Sequence, residues 1–445
     1  MIYELPLFKE LNPYAGKIDK KNRWIKLTQL VPWNELLIIY NSYFVSGKMK
    51  KVKDCQLILG LMIGQILLKQ SDRDILEFFH ENVYFQYFCG LEVFAVKTEK
   101  TIINYSLLSK RRKKLGEKFF SKFQDKVIKV LQERKIINSK MIALDATVVP
   151  TNIGYPNDVK LMNAAREWSC KTILKIKNII DTKVMVRTYR KVGRKIFLNF
   201  QKKKQKSQKV IKKTIKEMHR LLKRNINQLE NLLHKIETGS DVISSKLKKW
   251  EKDRIEKKLK IAKKIYEQQK KMISENIHTV KQRIVSFVRP EVRPIVRGKE
   301  GKKVEFGPKL HVVDVDGYAI LDKISNEAFH EGKEYQNAIE EHKKRFEEYP
   351  EISLADGIYA TRENRKWAKE KGIETNFKSM GKSDKKTKKR KKELNKKRNR
   401  IEGDFGTLKQ HYRLGKIVLK VKDGASIQSY LSLGVMNLEK AMLRV

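Results

Sequence analysis

The sequence is poor in cysteine and proline, and it has no long hydrophobic run. Its 445 residues contain 3 cysteines and 9 prolines. The cysteines are odd in number and scattered, so they predict neither a disulfide framework nor a cysteine-ligated zinc site. The longest apolar stretch, Leu57 to Leu68, is interrupted by Gln65 and is too short to span a bilayer. We expect it to form a buried helix in a protein without membrane contact.

Other absences argue against whole classes of function. The first residues, Met1 to Leu5, lack the charged start and apolar core of a signal peptide, which fits a cytoplasmic location. No glycine-rich phosphate loop with a trailing lysine is present, which argues against an ATP-driven motor. No histidine and cysteine cluster competes as a metal site, and no serine and histidine nucleophile signature is recognisable. Carboxylates remain as the candidates for chemistry.

Acidic residues are scarce relative to basic ones. The chain has 100 Lys and Arg against 51 Asp and Glu, a formal net charge of +49. Such an excess repels itself unless a polyanion is bound, and the backbone of DNA or RNA is the expected partner. An acidic membrane surface is the runner-up, but no lipid anchor or amphipathic juxtamembrane cluster supports it. The length predicts about two to four domains.

Residues 1–139 predict a helical domain that binds DNA. Leu57 to Gly64 has the composition of a core helix, and Ser71 to Asp74 is typical of a helix start with acids in the first turn. A basic helical stretch follows at Lys110 to Lys114. Helices in a compact bundle with a basic face favour a DNA-binding module, although a solvated charged surface explains any single basic run equally well.

Residues 201–284 differ in kind, because they are rich in Lys, Gln and Glu and contain one Gly and no Pro. Apolar residues recur at steps of three and four from Ile211 to Ile236, and less regularly from Ile243 to Ile284, with a break at Thr238 to Asp241. The pattern predicts an inserted, antiparallel coiled-coil hairpin. Three interpretations stay open: an arm that grips DNA, an arm that dimerises, and an insertion whose basic outer face is only solvated.

The remaining segments, 140–200 and 285–445, predict an α/β domain. Apolar runs bounded by turn residues indicate strands at 140–150, 304–315, 318–324, 351–355 and 373–377. With the hairpin removed, this order predicts a mixed five-stranded sheet with flanking helices, in which the first and fourth strands can be neighbours. Asp145 on the first strand and Asp356 at the end of the fourth would then lie at one end of the sheet.

Three acidic residues stand where simple packing does not require a polar side chain. Asp145 and Asp356 each end an apolar run, and Glu402 lies on a helix-like segment among basic residues. Such acids can hold two Mg²⁺ ions, for which Mn²⁺ can substitute, with Asp145 bridging both and the other two holding one each. Simpler interpretations are an amide-bound acid at Asp145, an Asp-Gly turn at Asp356, and a surface ion pair between Glu402 and Arg398.

Basic residues surround Glu402. Arg398 and Lys409 lie four residues before it and seven after it, so all three share one face of a helix predicted from about Asn395 to Tyr412. The preceding segment, Lys382 to Arg400, is predicted to be a loop with twelve basic residues. Its position directly before the Glu402 helix favours contact with DNA phosphates over the simpler interpretation, a solvated tract. The candidate contacts are Arg398, Lys409, Arg400, Lys389 and Arg390.

At these residues the chain resembles the DDE transposases of bacterial insertion sequences, whose catalytic domain has a ribonuclease H-like fold. It is most similar to the branch with an InsH-type helical N-terminal domain. The matching stretches are Leu144 to Thr147, Tyr155 to Asp158, Val296 to Lys299, Ala355 to Tyr359, Arg400 to Gly406 and, in the N-terminal region, Ser71 to Leu91. The likeness covers nearly the whole chain and is much more specific than any single acid.

The resemblance implies a catalytic triad and a reaction. Asp145, Asp356 and Glu402 match the triad. The family implies Mg²⁺-dependent hydrolysis at the ends of a mobile element, followed by attack of the freed 3′-hydroxyl on target DNA. It also implies that the N-terminal helices bind the terminal inverted repeats of double-stranded DNA, and that a homodimer pairs two ends.

The resemblance further implies individual DNA contacts. Arg398 and Lys409 match the signature of the family's catalytic helix, which usually also has a Tyr three residues before the Arg. That position is Asn395 here, a departure that removes any contact made by the Tyr but leaves metal binding untouched. Arg297 and Lys299, which lie in a matching stretch, are further expected contacts.

Alternatives to a transposase stay open. A catalytically inactive, transposase-derived DNA-binding protein is one, although all three acids and their basic neighbours are present. A metal-dependent nuclease without strand transfer is another, and joining of cut ends to a new target would separate it from a transposase. An RNA-binding coiled-coil protein is a third, and it predicts no dependence on metal.

Overall fold

The structure is a computed structural model that describes residues 19–44, 55–91, 103–180, 185–238, 247–296, 304–382 and 384–444. Arg297 and Lys299, two of the predicted DNA contacts, and residues 239–241 of the predicted helix break lie outside these ranges. The chain forms two compact units, Met1–Asn152 with Ile295–Val445 and Ile153–Pro294, each with its own hydrophobic core. Among the described helices, none is long and apolar enough to cross a membrane.

The N-terminal part of the first unit is helical, as predicted. Its described helices are α1 (Arg23–Leu30), α2 (Trp33–Ser42), α3 (Cys55–Leu67), α4 (Asp74–Glu81), α5 (Val83–Phe88) and α6 (Ser106–Glu133). Helix α3 is buried along almost its whole length, which confirms the predicted core helix. These helices share one hydrophobic core with the sheet described below, so the predicted boundary at residue 139 does not separate two cores.

A buried polar group explains the interruption of the α3 sequence. Gln65 is buried, its side-chain amide donates to Asp72, and it accepts a hydrogen bond of 2.8 Å from Arg112. Arg112 is also paired with Asp72 at 2.8 Å, which offsets the cost of burying its charge. The basic stretch Lys110 to Lys114 is therefore not wholly a surface, because its central arginine holds α6 to α3.

The second unit is mainly helical. Its described helices are α7 (Asp158–Ile180), α8 (Arg190–Lys202), α9 (Gln208–Thr238) and α10 (Lys249–Ser274). Helices α9 and α10 lie within the segment 201–284 predicted to be a hairpin, and their apolar faces are buried in a common core. The unit begins at Ile153 rather than at residue 201, because apolar residues of α7 such as Val159 and Met162 pack into the same core.

The sheet of the first unit carries the candidate site. The described strands are β1 (Met141–Val148), β2 (Pro294–Val296), β3 (Val304–Phe306), β4 (Lys309–Val315), β5 (Tyr318–Ser325), β6 (Ile352–Ala355) and β7 (Glu374–Thr375). Within the described residues, five of them form one sheet in the order β5-β4-β1-β6-β7. Strand β1 is antiparallel to β4 and parallel to β6, which confirms the predicted mixed sheet with the first and fourth strands as neighbours.

Turn residues divide the strands where the sequence has glycine. Asp316 and Gly317, with φ of 51° and 93°, form the predicted tight turn between β4 and β5. The strand predicted over 304–315 is divided at Gly307 and Pro308 into β3 and β4. A Cβ at Gly307 would lie 2.0 Å from the carbonyl oxygen of Val149, so only glycine allows the residues directly after β1 to pass this close to the bend.

The predicted basic loop at Lys382 to Arg400 is wrong, because helix α13 (Lys385–His411) already includes most of it. Asp384 caps the helix by accepting a hydrogen bond of 3.3 Å from the backbone N–H of Thr387. The segment has no glycine or proline, lysine and arginine are good helix formers, and a buried Leu394 anchors it. The other described helices of this unit are α11 (Tyr335–Phe346), α12 (Arg362–Glu370) and α14 (Gly424–Met442).

Candidate active site

Asp145 and Asp356 lie side by side on the neighbouring strands β1 and β6. The parallel pairing of β1 with β6 puts Leu144 beside Ala355, and each acid is the next residue along the chain. Asp145 is still within β1 with its side chain 17% exposed, whereas Asp356 follows β6 and is exposed. Carboxyl ends of strands are the usual place for functional groups in α/β sheets. This is the adjacency that the strand order predicts.

Each acid also has a local backbone partner. Asp145 Oδ1 accepts a hydrogen bond of 2.7 Å from the N–H of Ala146, and Asp356 Oδ1 accepts one of 2.6 Å from the N–H of Gly357. The second contact caps the 3₁₀ turn Gly357–Tyr359. The simpler interpretations of these acids thus correspond to real bonds. They do not exhaust the carboxylates, because each has a second oxygen.

Burial makes Asp145 hard to ionise. The pKa of Asp145 is raised to about 6, mainly by burial and in part by the negative charges of Glu331 and Asp356. The N–H of Ala146 and the guanidinium of Arg398 act in the opposite direction. A carboxylate in this environment is stabilised by any cation that approaches it.

Arg398 links Asp145 to Glu402. Its Nη1 lies 3.9 Å from Asp145 Oδ2, and its Nη2 donates a hydrogen bond of 3.0 Å to Glu402 Oε1. The side chain of Arg398 is 16% exposed and that of Glu402 is 57% exposed. The pair expected from the spacing of Arg398 and Glu402 is therefore present, but Arg398 also reaches the half-buried Asp145, so the pair is more than a surface contact.

The predicted common face of α13 is turned to the strands that carry the acids. Lys409 Nζ donates a hydrogen bond of 2.8 Å to Thr147 Oγ1, two residues beyond Asp145 on β1. Helix α13 packs against both β1 and β6. Arg398, Glu402 and Lys409 therefore face one end of the sheet together, as their spacing predicts.

The donor atoms of this site are suited to Mg²⁺ or Mn²⁺, because they are carboxylate oxygens. A divalent cation between Asp145 and Asp356 would relieve their repulsion and the burial of Asp145. Glu402 does not join them here, since it is bonded to Arg398. Among the described residues, no group of three or more His, Cys, Asp or Glu side chains is arranged to hold a metal ion. The cation that Asp145 and Glu402 share in this structure is Arg398.

Glu331 is a neighbour of Asp145 that sequence reasoning missed. It lies in the 3₁₀ turn Glu331–Lys333, is 17% exposed, and forms an ion pair of 2.7 Å with Lys309. Its charge raises the pKa of Asp145. The sequence around it is polar and matches no motif, and only the packing of this turn against the turn after β6 brings it to the site.

The opposite face of α13 holds a second group of charges. Arg400, a predicted DNA contact, donates a hydrogen bond of 2.7 Å to the fully buried Asp314, which also accepts one of 3.1 Å from the N–H of Gly317. Asp404 accepts a hydrogen bond of 2.6 Å from Lys440 on α14, and Lys440 donates one of 2.8 Å to the carbonyl of Gly317. Two cations and two anions thus hold α13 to the β4–β5 turn and to α14.

Two further predicted DNA contacts lie near the start of α13. Lys389 is exposed. Arg390 donates to both carboxylate oxygens of Glu374 on β7, at 2.9 and 2.7 Å, and this contact lowers the pKa of Glu374. Such a bidentate pair fixes the guanidinium in one orientation. In this structure the side chain of Arg390 therefore joins the helix to the edge of the sheet.

Asn395, where the family signature has Tyr, makes a structural contact. Its Oδ1 accepts a hydrogen bond of 2.6 Å from Nδ2 of Asn376. Asn376 is buried and exchanges two hydrogen bonds of 2.9 Å with the backbone of Ala355, the residue before Asp356. Asn395 thereby links the helix to β6.

Two family models match the chain. A transposase DDE domain matches residues 354–439, which include Asp356, all of α13 with Glu402, and most of α14. A second transposase domain (DUF772) matches residues 13–114. Both matches support a DDE-type transposase of an insertion sequence. Asp145 lies outside both matched segments, and its link to the DDE domain is its pairing beside β6. No curated protein and no solved structure matches the chain.

The two family matches agree with the architecture. The DUF772 match falls largely on the N-terminal helices, and the DDE match falls on the part of the first unit that follows β5. The mixed five-stranded sheet with helices is that of a ribonuclease H-like DDE domain, as the sequence predicts. The second unit, Ile153–Pro294, lies outside both matches.

Proposed function

We propose that this transposase binds the terminal inverted repeats of an insertion sequence, hydrolyses phosphodiester bonds at the element ends, and transfers the freed 3′-hydroxyl to target DNA. The observation that carries the proposal is the position of Asp145 on β1 beside the end of β6, which Asp356 follows, with Glu402 on the helix that packs on both strands. Acids placed in this way are suited to two-metal-ion catalysis on a phosphate backbone.

Asp145, Asp356 and Glu402 are proposed to hold the metal ions. When bound, Mg²⁺ supplies an activated attacking oxygen and stabilises the leaving oxygen. Asp145 contributes a carboxylate whose burial favours binding of a cation. Arg398 competes for the same oxygens of Asp145 and Glu402, so release of its guanidinium makes both acids and a phosphate-binding cation available. Lys409, held by Thr147, adds a positive charge beside β1.

Double-stranded DNA is the proposed partner. The excess of 49 positive charges supports a polyanion, and the N-terminal helices matched by DUF772 are the proposed readers of the inverted repeats. Arg398, Lys409 and Lys389 are proposed phosphate contacts near the metals. A homodimer that pairs two element ends, in the cytoplasm and associated with the nucleoid, completes the proposal.

The test is cleavage and joining of a labelled duplex that carries the element's own ends, with Mg²⁺. Glu402→Gln should bind DNA and be inactive, because it keeps the size of the side chain and removes the charge. Glu393→Gln is a matched control, since Glu393 is an exposed acid about two and a half turns before Glu402 and therefore on the opposite side of the same helix. It should cut and join like the wild type.

Each outcome of this test separates the proposal from its alternatives. Cutting without joining by the wild type would identify a nuclease. Binding without cutting by either protein would identify an inactive transposase relic. Equal activity of Glu402→Gln and the wild type would remove Glu402 from the proposed metal ligands.

A further inference from the structure

Helix α9 of the second unit carries a straight basic stripe. Lys209, Lys213, Lys216, Arg220 and Lys223 follow one another at steps of four and three residues and are all exposed. At about 100° per residue, these positions fall within a sector of roughly 80°. The stripe is therefore one continuous line of positive charge along the helix.

The stripe lies opposite the face by which α9 is buried. Met218, Leu222, Ile226 and Leu229 are buried in the core of the unit. Around the helix axis, these residues lie on the side opposite to the basic positions. The direction of the stripe is thus set by the packing of the helix, and its side chains point to solvent.

Acidic partners are distributed unevenly along α9. In its C-terminal half, Glu230 forms an ion pair with Lys263, and Glu237 forms one of 2.9 Å with Lys252. Within the described residues, none of the five stripe residues is in an ion pair, and Glu217 is the one acid of this half of the helix. The acids in the C-terminal half of α9 are therefore paired with lysines of the same unit, whereas the basic stripe in its N-terminal half has no such ion pairs among the described residues.

We propose that this stripe is a binding site for the phosphate backbone of duplex DNA, so that the second unit grips DNA. The stripe is about 21 Å long from Lys209 to Lys223, a length over which duplex DNA presents roughly 12 phosphate charges. It contains no aromatic side chain, and stacking on aromatic rings is what single strands require. A second copy of the chain is disfavoured as the occupant, because it carries the same excess of positive charge.

Contacts of this kind position DNA and do not read its sequence. Of the three interpretations of residues 201–284, the proposal selects the arm that grips DNA. It rests on the proposed function for the choice of DNA as the polyanion.

The test measures the affinity of the full chain for a labelled duplex of unrelated sequence, as a function of NaCl concentration and with EDTA. The variant is Lys209→Gln with Lys213→Gln and Lys216→Gln. The matched control is Lys175→Gln with Lys252→Gln and Lys263→Gln, which removes three charges that are paired with acids in the same unit. Melting curves of both variants show whether the unit remains folded.

Log affinity falls as log salt concentration rises, so the slope is negative. The stripe variant should reduce the magnitude of this slope by about 2 to 3, because three phosphate contacts are lost. The control should lower it by less than about 1. Equal slopes for the two variants would overturn the proposal, as would an unchanged slope for the stripe variant. Loss of binding to single-stranded RNA or polyglutamate, with duplex binding intact, would overturn it in favour of another partner.

The salt series needs no catalysis. If the wild type fails to cut and join DNA but the stripe variant shows a weaker salt dependence of DNA binding, the proposed function is wrong and the proposal that the stripe binds DNA is supported. If the wild type joins DNA and the stripe variant and the control have the same salt dependence, the proposed function is supported and the proposal that the stripe binds DNA is wrong.

Discussion

The two faces of α13 carry similar charges in different environments. One face joins Arg398 to Glu402 and to Asp145, and Glu402 is more than half exposed. The other joins Arg400 to the buried Asp314 on β4 and Asp404 to the half-buried Lys440 on α14. On the first face Asp145 and Glu402 share Arg398, whereas on the second Asp314 and Asp404 each have a cation of their own. The shared cation marks the candidate site, and the separate pairs hold the helix in position.

This difference shows that residues two positions apart on a helix can have unrelated roles. Arg398 and Arg400 lie in the same basic segment, and the sequence predicts both as phosphate contacts. The structure turns them about 200° apart, so one meets the acids of the site and the other meets a buried acid below the helix. The following predictions test this division, from the largest expected effect to the smallest.

Asp145→Asn should reduce cleavage by at least roughly 10²–10³-fold, because a neutral amide does not replace a carboxylate at a site of charge stabilisation. It should not lower the melting temperature, because burial already disfavours the charge. Single-turnover cleavage with Mg²⁺ and thermal melting are the two measurements. A variant that melts well below the wild type would show that Asp145 is structural, contrary to the comparison.

Arg400→Gln should destabilise the first unit by about 1–3 kcal/mol, because it leaves the buried Asp314 without its cation. The same substitution at Arg398 should cost less than about 1 kcal/mol, since it removes one long contact and one exposed pair. Chemical unfolding measures both. Arg400→Lys should recover part of the loss. Equal destabilisation at the two positions would break the distinction between the faces.

The stability of the wild type relative to Asp145→Asn should depend on pH without metal. The pKa of Asp145 is about 6 in the folded protein and about 3.9 for an ordinary aspartate, so folding favours the protonated form. The free energy of unfolding of the wild type should match that of the variant below about pH 4. It should fall by about 1–2 kcal/mol relative to the variant as the pH rises from about 4 to about 6. Melting curves across this range measure it. Mg²⁺ at neutral pH should reverse the difference, and no reversal would argue against a metal at Asp145.

Asn395→Tyr, which restores the residue of the family signature, should have the smallest effect. It removes one hydrogen bond from Asn376, but the two bonds between Asn376 and Ala355 remain. We expect a loss of less than about 1 kcal/mol in unfolding free energy and cleavage within a few-fold of the wild type. A large fall in cleavage at unchanged stability would show that the link from α13 to β6 positions Asp356.

Much of the fold is predictable because its signals are local. The Asp316-Gly317 turn follows from the conformational freedom of its glycine and the tolerance of aspartate for positive φ. The buried α3 and the apolar stripe of α9 follow from hydrophobic pattern. The helical structure of the basic segment before Glu402 does not follow from a local signal. Dense charge is typical of solvated loops, and the apolar residues that anchor the helix, such as Leu394, are few.

The sequence by itself determined which segments form strands, the two acids that end apolar runs, and the helix spacing that puts Arg398, Glu402 and Lys409 on one face. These are periodic or chain-local properties, and short-range geometry is enough to determine them. Only the tertiary structure decided that Arg398 takes the acids as partners while Arg400 takes Asp314, and that Glu331 adds its charge to the site. Such pairings join residues far apart in the chain, and their choice depends on which buried charge each side chain can reach when the helix packs on the sheet.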